Sequence, residues 1–113
     1  QITNGKYDNL SIDDKLNISV NSKHALIAAT RLSKGTIEQI YMALRLAAAD
    51  IIFEKDKKPI LLDDAFAMYD NKRMGNTMRF MAENMEQVII FSCHTREKLM
   101  ADKLGLKYNF IRL

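Results

Sequence analysis

Short stretches of alternating apolar and polar residues fill the first thirty positions of the chain. In the clearest of them, Leu16, Ile18 and Val20 are separated by single polar residues. An alternation of period two is typical of a β-strand that buries one face. Asn-Gly at positions 4–5 and Asp-Asp at 13–14 are turn signals between such stretches. The pattern predicts an antiparallel β meander over residues 1–31, with strands at 7–12, 16–20 and 24–28.

After residue 36 the apolar residues take up a helical period. They recur three or four positions apart, at Ile37, Ile40, Tyr41, Leu44, Ala47, Ala48 and Ile51. Many of the intervening residues are apolar as well, which predicts a helix that is covered on several sides. Thr36 followed by Gln39 fits a capping box at the start of this helix, and Ser33 is a competing N-cap.

Two later runs, Ile60–Leu62 and Val88–Phe91, are continuously apolar. Runs of this kind are typical of strands that are buried on both faces in a parallel sheet flanked by helices. Helical spacing predicts helices at 71–86 and 95–104, with Gly105 ending the second, and a final strand at 107–113. The predicted fold is therefore α/β: an antiparallel meander, followed by a mostly parallel sheet with flanking helices.

The helix predicted at 71–86 carries a stripe of methionines. These residues are Met74, Met78, Met81 and Met85. A stripe at this spacing favours a place in the core, and a pliable surface for a partner is the alternative.

Composition limits the class of protein but does not indicate a function. The 113 residues are 48% apolar and 27% charged, which fits one globular lobe spanning residues 1–113. The net charge of +3 is compatible with DNA binding but too small to predict it. Cys93 is the single cysteine, so an internal disulfide is excluded and a reducing, cytoplasmic home is expected. No apolar run reaches the ~20 residues of a membrane span. The chain starts at Gln1 without a methionine, and we interpret it as a fragment of a longer protein.

Candidate chemistry lies at the ends of the two apolar strands. Asp63 and Asp64 end the first, and His94 follows the second. Ligands of parallel α/β sheets bind outside the carboxyl ends of the strands, so these three side chains share one rim if the strands are neighbours. One acid can hold Mg²⁺, and the other can position or deprotonate a water for phosphoryl transfer. The alternative is a solvated strand end with a structural histidine.

A second candidate is Ser33-Lys34-Gly35-Thr36 at the start of the first long helix. Free N–H groups and the positive end of the helix dipole make such a place suitable for an anion. The alternative is a capped helix with no ligand.

The sequence contains neither a P-loop motif nor a zinc-finger motif. No G-x-x-x-x-G-K-[ST] motif occurs, so the chain has no P-loop of its own. Cys93 is expected to be a small buried side chain. One cysteine and two well-separated histidines are too few for a zinc finger, and the sequence predicts no zinc site.

In this order, the motifs resemble the C-terminal lobe of an ABC-class ATPase head of the SMC and DNA-repair type, most like the YhaN-like bacterial coiled-coil ATPases. Residues 32–47 resemble the signature motif and its helix, and residues 60–64 resemble the Walker B strand. Asp70 falls at the position of the D-loop aspartate, which the resemblance implies takes part in nucleotide binding. Residues 89–94 resemble the strand that ends in the switch histidine. The resemblance covers nearly the whole chain.

The resemblance implies a role for each of these positions. Asp63 would coordinate Mg²⁺, Asp64 would take the place of the catalytic glutamate, and His94 would contact the γ-phosphate of ATP in its own subunit. Ser33-Lys34-Gly35-Thr36 would contact ATP bound to the opposing subunit. Two departures stand out: Asp64 is one methylene shorter than glutamate, which implies slow turnover, and Lys34 replaces the first glycine of the signature.

The same resemblance implies a larger machine. An N-terminal P-loop lobe of the parent would lie beyond a coiled coil, and two heads would form a homodimer around ATP, with a role in DNA repair or maintenance. The isolated chain would then be inactive. One alternative is a module that dimerises on ATP and hardly hydrolyses it. A receiver domain also has paired acids and binds Mg²⁺, but its acids end the first strand, whereas here they follow half the chain.

Overall fold

A computed structural model of the chain describes residues 9–15, 17–22, 25–53 and 59–112. These residues belong to two compact units that divide between residues 54 and 55. The first unit contains an antiparallel sheet and a long helix, and the second contains a parallel pair of strands and two helices. The predicted α/β fold class is confirmed.

Three antiparallel strands form the sheet of the first unit. β1 (Asn9–Ile12), β2 (Ile18–Ser22) and β3 (Ala25–Ala28) pair in the order of the sequence. Val20 in the central strand lies opposite Leu10 and Ile27 and is only 1% exposed. The predicted meander is confirmed over these ranges, while the predicted strand positions 7, 8, 16 and 24 lie outside the described residues.

Asp13 holds the turn between β1 and β2. Its carboxylate accepts the backbone N–H of Lys15 at 2.9 Å and that of Asn17 at 2.8 Å. The side-chain amide of Asn17 donates a further hydrogen bond at 2.8 Å. These bonds, above all the one from the Asn17 side chain, stabilise the carboxylate and lower the pKa of Asp13.

The long helix begins earlier than the capping box predicts. A 3-10 turn at Ala29–Arg31 leads to α1 (Lys34–Phe53). The first helical hydrogen bond runs from the N–H of Ile37 to the carbonyl of Ser33 at 3.0 Å, and Ser33 Oγ accepts the N–H of Thr36 at 3.4 Å. Thr36 is thus already inside the helix. The capping box at Thr36 is therefore wrong, and the competing cap, Ser33, is confirmed.

Only part of α1 is buried. Ile40, Met42 and Leu46 are buried, but Ile51 and Ile52 in the last turn are 78% and 69% exposed. The expectation of a helix covered on several sides is wrong for this turn, because nothing described in the first unit covers it. Among the described helices, none has both the length and the apolar character needed to cross a membrane.

Two parallel strands start the second unit. β4 (Ile60–Asp63) and β5 (Val88–Phe91) run side by side, with Leu62 opposite Ile90. The parallel pairing is confirmed. Burial on both faces is wrong, because Leu61 and Phe91 are exposed while Leu62 is buried. A pair of strands packed on one face accounts for this difference.

Two helices complete the core of the second unit. α2 (Asn71–Asn84) packs on α3 (Arg96–Leu104). A Cβ atom on Gly75 would lie 3.2 Å from the Met100 sulfur, so the absence of a side chain there lets the helices come close. α2 ends two residues before its predicted end. Gly105 ends α3 in the left-handed conformation with φ 66°, as predicted.

The methionine stripe lies in this core. Met74, Met78 and Met81 are buried, and Met85 is half-buried just after α2. Phe66 and Tyr69 are buried in the same unit, with their rings edge to face at 5.4 Å between centroids. The prediction that the stripe is core is confirmed for its first three members.

The predicted final strand is wrong. Residues 106–112 form no strand, and Phe110 and Ile111 are exposed. The segment is tied to α3 instead, because the Tyr108 hydroxyl donates to the Asp102 carboxylate at 2.5 Å. Lys98 also donates to Asp102, at 2.8 Å. The bond from Lys98 and then that from Tyr108 lower the pKa of Asp102.

Met74 offers a test of this core, because its side chain is fully buried. We expect Met74→Ala to lower the free energy of unfolding by about 2–5 kcal/mol, through lost apolar contact and the cavity left behind. Chemical denaturation followed by circular dichroism measures the change. Met68→Ala is the matched control, since Met68 is 57% exposed, and its effect should stay within about 0.5 kcal/mol. Equal effects of the two substitutions would contradict the packing described here.

Candidate functional site

The parallel pairing of β4 and β5 brings their carboxyl ends to one rim. Asp63 lies opposite Phe91, and the N–H of Asp64 donates to the Phe91 carbonyl at 3.0 Å. The ladder thus continues one residue beyond β4. The residues that follow each strand, Asp64 on one side and Ser92 to His94 on the other, start from neighbouring points.

Asp64 turns the chain sharply at this rim. Its φ of 42° is the single positive φ of a non-glycine residue within the described residues. Aspartate tolerates the left-handed region better than most residues, but the conformation still carries a cost and concentrates at functional sites. The Asp64 carbonyl then accepts the N–H of Ala67 at 3.1 Å, which starts the turn that leads to α2.

The loop after β5 faces the Asp64 carboxylate. The N–H of Cys93 lies 3.4 Å from Asp64 Oδ1, and Cys93 Sγ lies 3.9 Å from each carboxylate oxygen. The N–H of His94 donates to the hydroxyl of Ser92 at 3.0 Å. As a result, ligand atoms of Asp64, Cys93 and His94 all lie within 4.8 Å of one another, and all three residues are exposed.

The sequence predicted that Asp64 and His94 lie at one rim, but it did not predict Cys93 there. Asp64 and His94 share the rim, as the neighbouring strands predict. Cys93 is exposed, so its expected burial is wrong. The strand ends at Phe91, so Cys93 lies in the exposed loop after it and not on a buried strand face.

The two adjacent acids are not equivalent. Asp63 is the last residue of β4 and is exposed. The cluster of donor atoms contains the carboxylate of Asp64 and not that of Asp63. β4 ends at Asp63, and Asp64 in its left-handed turn brings its carboxylate to the loop after β5, which fits two acids with separate tasks.

Asp70 caps α2. Its carboxylate accepts the N–H of Arg73 at 2.8 Å, and the Arg73 guanidinium lies 3.2 Å from the other oxygen. This is the ordinary geometry of an N-cap aspartate. The part that the resemblance assigns to Asp70 in nucleotide contact stays a prediction.

Arg96 was not predicted as part of this region. Its guanidinium donates to the carbonyl of Tyr69 at 2.5 Å and so links the start of α3 to the turn after β4. His94 lies two residues before Arg96. The Arg96 side chain therefore links the loop after β5, which carries His94, to the turn after β4. A lone arginine in the first turn of a helix carries no pattern in sequence that would indicate this contact.

Ser33-Lys34-Gly35-Thr36 lies in the first unit, at the start of α1. The hydroxyls of Ser33 and Thr36 are 2.9 Å apart. Gly35 and Thr36 are buried, whereas Ser33 and Lys34 are exposed. The exposed cap and the lysine leave the start of the helix open to an anion, although capping alone explains the hydrogen bonds.

No family model matches the chain. A curated relative, the uncharacterized protein YhaN of Bacillus subtilis (strain 168), is 30% identical over 103 residues. That match takes in 86% of this chain and 11% of the relative, so the chain spans about a ninth of the relative's length. Among solved structures, an SMC ATPase from work on ATP-driven dimerization and DNA-stimulated activation matches with a TM-score of 0.66. It is 16% identical, and the match covers 89% of this chain and 68% of that one.

These similarities confirm the resemblance that the motifs predict. The chain has the fold of part of an SMC-type ATPase head, and in sequence it is similar to a segment of YhaN.

Proposed function

We propose that the chain is the C-terminal part of an ATP-binding and ATP-hydrolysing head of an SMC-like protein. The observation that carries this proposal is the meeting of Asp64 and His94 at the carboxyl ends of two parallel strands. The fold, similar to that of an SMC ATPase head, supports it. The sequence has no P-loop, so a complete nucleotide site requires an N-terminal lobe of the parent protein.

The residues at the rim fit magnesium and a nucleotide by their chemistry. Carboxylate oxygens are the ligands that Mg²⁺ prefers, and Asp63 and Asp64 offer them at an exposed strand end. When bound, Mg²⁺ with ATP would supply the phosphoryl group and neutralise its charge. In this proposal Asp63 holds the cation, Asp64 accepts a proton from the attacking water, and His94 donates to a phosphate oxygen.

The start of α1 has a separate part in the proposal. Ser33, Lys34, Gly35 and Thr36 contact the phosphates of ATP bound to a second head, which makes ATP the bridge of a homodimer. The exposed Ser33 and Lys34 at a helix N-terminus support this assignment. Asp70, at the start of α2 after the turn that follows β4, contributes to nucleotide binding in this proposal. DNA repair or maintenance in a reducing, cytoplasmic compartment completes the proposal. The net charge of +3 is compatible with DNA, and the exposed free thiol fits a reducing compartment.

One observation favours a second candidate function. Asp64 is shorter than glutamate, and its left-handed backbone and the nearby Cys93 N–H hold its carboxylate close to the rim. A base held back in this way would leave ATP bound and unhydrolysed. The parent would then use ATP to dimerise, with little or no turnover.

Replacement of Asp64 tests the hydrolytic role in the full-length parent protein. We expect Asp64→Asn to reduce Mg²⁺-dependent phosphate release by about 10²-fold, the usual contribution of a general base. Asparagine tolerates a positive φ as aspartate does, so the backbone conformation should survive the change. Glu83→Gln, on the exposed surface of α2, is the matched control and should leave turnover unchanged. Unchanged turnover in Asp64→Asn would show that Asp64 has no part in hydrolysis. An unsubstituted parent that dimerises with ATP but shows no turnover would support the second candidate.

Replacement of Ser33 tests the contact with a second head. We expect Ser33→Arg to abolish ATP-dependent dimerisation of the parent, because a bulky cation would occupy the place of the phosphate contacts. Sedimentation velocity with and without ATP measures the shift. Ser11→Arg, at an exposed position of β1, adds the same charge to the same unit and should dimerise normally. Ser33→Ala removes only the helix cap, and its loss of stability, about 0.5–2 kcal/mol, corrects for that part of the change. A dimer of Ser33→Arg as stable as the unsubstituted dimer would contradict the proposed contact.

A further inference from the structure

Three different donor types meet at the rim. Asp64 offers a carboxylate oxygen, Cys93 a sulfur and His94 an imidazole nitrogen, with all three ligand atoms within 4.8 Å of one another. Asp64 and His94 are explained by the proposed function, but Cys93 is not. Its sulfur lies 3.9 Å from both oxygens of the Asp64 carboxylate, and its side chain is exposed.

The spacing of these atoms is close to that of metal ligands. With Zn–S near 2.3 Å and Zn–O near 2.1 Å, tetrahedral geometry places the sulfur and oxygen about 3.6 Å apart. The observed 3.9 Å between Cys93 Sγ and the Asp64 oxygens nearly meets that value. The largest separation in the cluster, up to 4.8 Å, has to close by up to about 1.4 Å, which rotations of exposed side chains can provide.

The backbone holds all three residues at this rim. The N–H of Asp64 is bonded to the Phe91 carbonyl at 3.0 Å, and the His94 N–H is bonded to Ser92 at 3.0 Å. The Cys93 N–H lies 3.4 Å from the Asp64 carboxylate. Two loops are thus fixed against each other before any ion arrives, so little ordering is required on binding.

The donor set selects the ion. Mg²⁺ binds oxygen ligands almost exclusively, and a thiolate contributes nothing to its site. Sulfur, imidazole nitrogen and a carboxylate together are typical ligands of Zn²⁺. Three protein ligands leave the fourth tetrahedral position open to water or to a phosphate oxygen, as in zinc sites of the open kind.

We infer that Asp64, Cys93 and His94 form a binding site for Zn²⁺. The spacing of cysteine and histidine alone predicts no zinc site in this sequence. The carboxylate that completes the set lies 29 residues before Cys93 and reaches it only through the pairing of β4 and β5.

A regulatory consequence follows, and it rests on the proposed function. Two of the three zinc ligands, Asp64 and His94, are the residues proposed to act on the water and the phosphate. When Zn²⁺ is bound, neither Asp64 nor His94 is available for ATP hydrolysis. The parent ATPase is therefore inhibited by Zn²⁺, and this inhibition depends on a cysteine that has no part in hydrolysis itself.

Metal titration of the 113-residue chain tests the site without ATP. Zn²⁺ is titrated in competition with a chromophoric chelator, and Co²⁺ serves as a spectroscopic probe, because a cobalt–thiolate bond gives a near-ultraviolet charge-transfer band. We expect one Zn²⁺ per chain and a thiolate band with Co²⁺. Cys93→Ser should abolish the band and weaken Zn²⁺ binding by at least about tenfold, since even residues that only support a ligand have effects of that size.

Matched variants identify the remaining ligands. His94→Ala and Asp64→Asn should each weaken Zn²⁺ binding, while His24→Ala removes the other histidine of the chain and should change nothing. Circular dichroism confirms that each variant is folded. Zn²⁺ binding that is unchanged in Cys93→Ser, or a cobalt complex without a thiolate band, would overturn the site.

The regulatory step is measured in the parent protein, as the ratio of turnover with and without Zn²⁺. We expect a ratio well below one in the unsubstituted protein and a ratio near one in Cys93→Ser. The two proposals fail separately. If the parent hydrolyses ATP but the chain does not bind Zn²⁺, only the zinc site is contradicted. If the chain binds Zn²⁺ tightly but the parent never hydrolyses ATP, only the hydrolytic role is contradicted.

Discussion

The parallel pairing of β4 and β5 is the constraint on which the rim depends. Asp64 and Cys93 are 29 residues apart in sequence, and nothing local draws them together. The pairing places Asp63 opposite Phe91, and one more hydrogen bond, from the Asp64 N–H to the Phe91 carbonyl, carries the register past the end of β4. A slip of one residue in that register would reverse which side chains point to each face and would dissolve the cluster.

The second unit has a buried core beside the rim residues. The turn after β4 buries Phe66 and Tyr69, and α2 buries Met74, Met78 and Met81. Arg96 then bonds to the carbonyl of Tyr69, so the turn after β4 and the start of α3 hold each other in place. The exposed donors at the rim are therefore mounted on two loops that buried residues anchor. Positioning of reactive side chains by such anchored loops is the usual way in which a sheet builds a site at its carboxyl edge.

Sequence reasoning was reliable where a pattern is local. The alternation around Val20, the helical period after Ser33, the methionine stripe and Gly105 all indicated elements that the structure contains. It was unreliable where the outcome depends on what covers an element. The apolar runs at β4 and β5 suggested burial on both faces, and residues 107–113 suggested a strand, but in the described residues Leu61, Phe91 and Phe110 are exposed. Exposed apolar side chains of this kind fit the proposal that the described residues belong to one lobe of a larger head. The same contrast between local patterns and tertiary contacts applies to the residues of the candidate site. Asp64 and His94 could be predicted from strand ends, whereas Cys93 and Arg96 act through tertiary contacts that leave no trace in spacing.

In the proposed function, this rim is one half of an ATP site, and a P-loop lobe of the parent protein completes it. Equilibrium dialysis with radiolabelled ATP and Mg²⁺ tests it most directly, first on the 113-residue chain and then on the same chain with the P-loop lobe of its parent. We expect no stoichiometric binding to the chain alone at ATP concentrations up to about 1 mM, corresponding to a binding free energy weaker than about −4 kcal/mol. We expect saturable binding once the P-loop lobe is added. Tight, stoichiometric ATP binding by the 113-residue chain alone would contradict it.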